Sequence, residues 1–147
     1  MALLRCMLIL LFLLQKHKNM GKKNFFHGII AGILSAAACI IYNRIYFFAT
    51  EADFSKVLNT TGLIGINMAA CLLAATGFWL MEKWFTKNGE IIFNLSFAIL
   101  SFASIIIPIS ISLPLTVKNP ELFPGLSVPM HFFPALAWFT IRPIFHK

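Results

Sequence analysis

Chemistry in this chain has to start from two ionisable side chains that border apolar runs. Arg44 and His131 each lie near the end of a long apolar stretch. An ionisable group at such a place is costly and raises a functional hypothesis by default. Asn43 precedes Arg44, and Glu51, Asp53 and Glu121 occupy polar segments nearby. Asn43, Arg44, Glu51, Glu121 and His131 therefore form a candidate ligand-binding set. The guanidinium would pair a phosphate or carboxylate through charge-assisted hydrogen bonds, and the imidazole would give or take a proton. The plainer alternative is that Arg44 snorkels and the acids are solvated loop charges.

Other chemistries find little to use. The sequence holds no Gly-x-Ser-x-Gly elbow, His-Glu-x-x-His, Cys-x-x-Cys or P-loop. A haem between helices needs two ligands at similar depth, whereas His27 and His131 fall at opposite ends of their spans. All five acids lie in loops or at span ends, which argues against proton-coupled transport. Cys6, Cys39 and Cys71 sit inside apolar stretches without metal-ligand spacing and read as free thiols. Asn59-Thr60-Thr61 matches a glycosylation sequon but abuts a span, and Asn94-Leu95-Ser96 lies within one. No metal and no cofactor is expected, and an enzyme is the less favoured class.

The elements that must position these residues follow from composition. Of 147 residues, 59% are apolar and 12% charged, with a mean hydropathy of +0.84. A soluble domain of this size cannot hide that excess from water, and disorder requires low hydrophobicity. The expected fold is all-α, an integral membrane bundle of four transmembrane helices over about 25–48, 62–81, 91–113 and 128–145. Residues 20–147 make the transmembrane domain. Residues 1–19 read as a dispensable apolar extension, because Arg5 interrupts the run and Met20 offers a second start before a strong span.

The net charge of +7 does not indicate nucleic acid, because the basic residues flank apolar runs. Lys16, Lys18, Lys22, Lys23, Lys83, Lys87, Arg142 and Lys147 share one side, against Lys56, Lys118 and Arg44 on the other. The positive-inside rule then makes both ends of the core cytoplasmic. Short loops and the lack of a soluble domain favour a bacterial inner membrane.

Helix faces complete the reading. Gly28, Gly32 and Ala36 form a small-residue groove on span one, and Gly62, Gly65 and Ala69 form one on span two. Packing of these two spans within the bundle is favoured over homodimerisation. Asn94, Ser101 and Ser112 share a stripe of span three with Pro108, which should kink that helix, and Asn67 joins them in a polar interior. His131, Ala135, Trp138 and Arg142 share a face of span four, which Ser127 would cap. The function expected is that of a binding or accessory protein acting through intramembrane packing or a polar pocket at the outer side. The alternatives are a small oligomeric transporter or channel and a membrane enzyme using His131. Expected partners are membrane lipids and a homo-oligomer or larger membrane complex.

Overall fold

The structure is a computed structural model that describes residues 2–85, 88–111, 113, 117 and 119–145, with side chains described from residue 21 onward. Ser112 and the side chains of the 1–19 extension lie outside the described residues. Most of the described residues are helical, with no strand among them. Helix α1 is Ala2–Thr50, α2 Thr60–Trp84, α3 Gly89–Ala103 and α4 Ile106–Ser110. A 3-10 turn, Pro120–Leu122, leads into α5, Phe123–Met130, and then α6, Phe133–Phe145. The chain is an all-α bundle with four segments long and apolar enough to cross a membrane: Gly21–Thr50, Thr60–Trp84, Gly89–Ser110 and Pro120–Phe145.

Local chemistry sets where helices stop. Glu51 takes a left-handed conformation at the end of α1, and its N–H closes onto the Phe47 carbonyl at 2.8 Å. Asn59 caps α2 by accepting the Gly62 N–H. Pro108 has no N–H for the Ser104 carbonyl, so the third span breaks one turn earlier, between α3 and α4. Pro134 does the same to the Met130 carbonyl, and His131 and Phe132 bridge the break with i→i−3 bonds of 3.2 and 3.1 Å.

The fourth apolar segment begins at Pro120 rather than near 128. Prolines at 120 and 124 sit at helix starts, where a missing N–H costs nothing. Ser127 consequently lies inside α5 and does not cap it; its hydroxyl donates to the Phe123 carbonyl at 3.0 Å. Pro129 frees the Gly125 carbonyl, and the Tyr42 hydroxyl from α1 donates to it at 3.0 Å. Tyr46, one turn on, donates to the Leu122 carbonyl at 2.7 Å. A Cβ on Gly125 would come within 2.7 Å of the Tyr46 hydroxyl, so glycine lets the two segments meet.

Two apolar clusters fill the bundle. One joins Ala31, Cys71, Ala75, Phe78, Phe93 and Trp138 toward the lysine-rich end, called the basic end below. The other joins Cys39, Phe54, Leu63, Phe123, Leu126 and Met130 at the far end. Alongside the basic-end cluster α1 and α2 pack backbone to backbone. A Cβ on Gly28 would lie 2.8 Å from Ala75 Cβ, and one on Gly32 would lie 2.7 Å from Met68 Sδ. Ala36, one turn further along α1, is also buried. On α2 the contact is made by Met68, Cys71 and Ala75, whereas a Cβ on Gly65 would meet nothing within 4 Å and Ala69 is exposed. Gly62 approaches only its own cap, Asn59. The third span is the least covered, with 17% of its most apolar stretch buried against 39% for the first and fourth. Its outward side chains, among them Leu95, Ile99, Phe102 and Ile106, are apolar, as a lipid-facing surface requires.

Candidate functional site

At its far end α1 presents two faces about 100° apart. Tyr42 and Tyr46 turn toward α5, and with Cys39 they help build the far-end core. Ile40, Asn43, Arg44 and Phe47, spaced as one helix stripe, turn toward the α1–α2 loop. That loop is anchored by Ala52 and Phe54, which are buried, with the Phe54 ring 5.5 Å edge-on to Phe123. Anchoring its apolar residues leaves its polar ones around a pocket. Asn43, Arg44, Asp53, Ser55, Asn59 and Thr60 line a polar space of about 430 Å³.

The pocket carries both signs of charge. Arg44 is exposed and makes no ion pair among the described residues. Asp53 accepts the Ser55 N–H at 2.9 Å. That bond, and next the Ser55 hydroxyl, hold its carboxyl below the usual aspartate range. The pocket therefore offers a guanidinium, an ionised carboxylate and neutral polar groups at the end of an apolar bundle.

A second cavity of about 540 Å³ lies deeper, between α2, α3 and α5. Its lining is mostly apolar, with Asn67, Ser96, Ser101, Ser104, Ser127 and His131 interspersed. Leu58 and Leu63 line both spaces and divide them. Asn67 is buried in a network with α1: its Oδ1 accepts from the Ser35 hydroxyl and the Cys39 thiol, and its Nδ2 donates to the Leu63 carbonyl at 2.7 Å.

The candidate residues thus divide between places. Asn43 and Arg44 share the polar pocket, joined by Asp53. His131 lines the deeper cavity, and Glu51 and Glu121 are exposed without lining either one. Asn67 and Ser101 are buried and line the deeper cavity. Asn94 is half-buried with its carbonyl oxygen enclosed and lines neither. The separation has a simple cause. Tyr42 and Tyr46 draw α5, and with it His131, to one face of α1, while Arg44 stands on the adjacent face.

Sequence reasoning missed a group at the basic end. Asn24 donates to Glu82 at 3.1 Å, and Arg142 pairs with Glu90 at 2.5 Å while lying 5.5 Å from the Phe78 ring. His27 is fully buried, stacked at 4.0 Å on Trp138 and 5.2 Å from Phe145. Its Nε2 donates to the Trp138 carbonyl at 3.0 Å. These partners are far apart in sequence, and no local spacing announces them. No group of His, Cys, Asp or Glu suited to a metal occurs among the described residues.

No protein-family model matches the chain, nor does any curated protein or solved structure.

Proposed function

We propose that the protein binds membrane lipid as an accessory or binding protein, and that its far-end pocket holds the zwitterionic head group. The observation that carries this reading is the shared pocket of Arg44 and Asp53, ringed by Asn43, Ser55, Asn59 and Thr60. A guanidinium suits a phosphate, with charge-assisted hydrogen bonds the stronger kind. An ionised carboxylate beside it suits the ammonium of the same head group. The apolar exterior of the bundle leaves the lipid tails in the bilayer, so head and tails need not be pulled apart.

The test is retention of phosphatidylethanolamine by the purified protein, read by native mass spectrometry. Arg44→Gln and Asp53→Asn should each lower retention about five- to tenfold, the effect of one charged hydrogen bond in a partly solvated site. Arg142→Gln, at the basic end, should leave it unchanged. Equal losses from all three variants would show general lipid adhesion and overturn the reading.

The bundle sits in a bacterial inner membrane with both ends of its core cytoplasmic, so that the polar pocket faces outward. The lysine and arginine asymmetry between the two ends supports this orientation. In a variant free of other cysteines, an impermeant thiol reagent should reach a cysteine placed at Ser55 from outside the cell. One placed at Asn88 should stay protected. The reverse pattern would invert the topology.

A further inference from the structure

The deeper cavity has a hydrogen-bonding bias that selects a ligand class, independently of the head-group pocket. Ser101 donates its hydroxyl proton to the Phe97 carbonyl at 2.9 Å, Ser104 to the Ser101 carbonyl at 2.7 Å and Ser127 to the Phe123 carbonyl at 3.0 Å. Asn67 gives its amide hydrogens to the Leu63 carbonyl and the Cys39 sulfur. His131 Nδ1 lies 2.8 Å from the Ser127 carbonyl oxygen. A carbonyl can only accept, so Nδ1 carries a proton, and in the imidazole form of the ring Nε2 keeps a lone pair. Ser96 is the lining hydroxyl whose proton has no acceptor among the described residues.

The polar atoms of this cavity are thus mostly acceptors whose own protons are committed. Pro134, also in the lining, offers no N–H to the Met130 carbonyl and adds to the excess. No Asp, Glu, Lys or Arg lines the space. An ammonium or a carboxylate would sit among apolar side chains there without a counter-charge, at a high cost. A neutral apolar molecule with a hydroxyl avoids that cost and supplies the missing donor. The volume of about 540 Å³ lies within the usual range of small-molecule sites, about 300–1,000 Å³.

We propose that the cavity between α2, α3 and α5 is a binding site for a membrane-soluble long-chain alcohol, whose hydroxyl donates to His131 Nε2. Saturable photolabelling of the protein in phosphatidylcholine vesicles tests this. The probe is hexadecanol carrying a mid-chain diazirine, with its methyl ether as the control that cannot donate. The alcohol should label peptides of α2, α3 and α5 at about five-fold lower half-saturating concentration than the ether, as one net hydrogen bond implies. Ala70→Phe, which fills the cavity, should reduce labelling by both probes to the level of exposed lipid-facing residues. His131→Leu should remove most of the alcohol's advantage and leave ether labelling unchanged. If that variant does not fold, the wild-type ratio and Ala70→Phe decide. Arg44→Gln should change neither probe, which separates this site from the head-group pocket. Equal half-saturation for the two probes overturns the proposal. So does labelling that survives Ala70→Phe or falls in Arg44→Gln.

Discussion

The two ends of the bundle use charge in opposite ways. At the basic end polar groups are tied into the packing. Glu82 takes a hydrogen bond from Asn24, Glu90 takes Arg142, and His27 lies between Trp138 and Phe145. At the far end the hydroxyls of Tyr42 and Tyr46 do the tying, and Arg44 and Asp53 are left facing a pocket. A charge that is already paired holds helices together, and one without a partner is available to a ligand. The position of an ionisable residue near a span end does not separate these two cases; the partner does.

The comparison breaks most readily at Trp138. It is fully buried and stacks on His27, with Phe78, Phe93 and Phe97 around it. Trp138→Ala should cost about 3–5 kcal/mol, the range for emptying a buried aromatic site. Thermal unfolding in mild detergent measures it. A loss below about 1 kcal/mol, the level of a half-exposed site, would show that the basic end is not the structural end.

A matched pair of arginine variants sharpens the contrast. Arg142 is 14% exposed and its partner Glu90 is 61% exposed, so solvent weakens their ion pair. Arg142→Gln should still destabilise by about 1–2 kcal/mol, counting the contact with the Phe78 ring. Arg44→Gln should stay within about 0.5 kcal/mol of wild type, as for a surface residue. Equal destabilisation would mean that Arg44 is as much a packing residue as Arg142.

Much of the architecture could be read without coordinates, and the reason is physical. Lipid forces each span to satisfy its own backbone, so length and hydropathy alone mark the four crossing segments. On span three Ser101 and Pro108 are buried, Asn94 is half-buried, and Leu95, Ile99 and Phe102 are exposed. The far-end site was only half readable. Ile40, Asn43, Arg44 and Phe47 carry a helix-face spacing that points to one surface. The assignment of His131 to another cavity depends on Tyr42 and Tyr46 reaching carbonyls of a proline-rich segment. Prolines at 120 and 124 suggested a loop ahead of span four, whereas both begin helical turns, and the carbonyl freed by Pro129 is filled from α1. The basic-end pairs join residues on different helices, which no period within one helix encodes.

The smallest effect expected lies in the loop that closes the polar pocket. Asp53 is fully exposed, and its carboxyl is held below the usual range first by the Ser55 N–H and then by the Ser55 hydroxyl. A carboxyl lowered in the folded state contributes stability that is present above its unfolded value and is lost as pH falls through the folded one. The Ser55 amide should therefore keep its hydrogen-exchange protection near neutral pH and lose it only as pH drops below the ordinary aspartate value of 3.8. Asp53→Asn keeps an oxygen for the turn but has no proton to gain, so its protection should be independent of pH over that range. Asp53→Ala should be poorly protected throughout. If wild type and Asp53→Asn gave the same profile, the turn would not depend on the ionised carboxylate. The loop would then present Asp53 to the pocket for some reason other than the charge it carries.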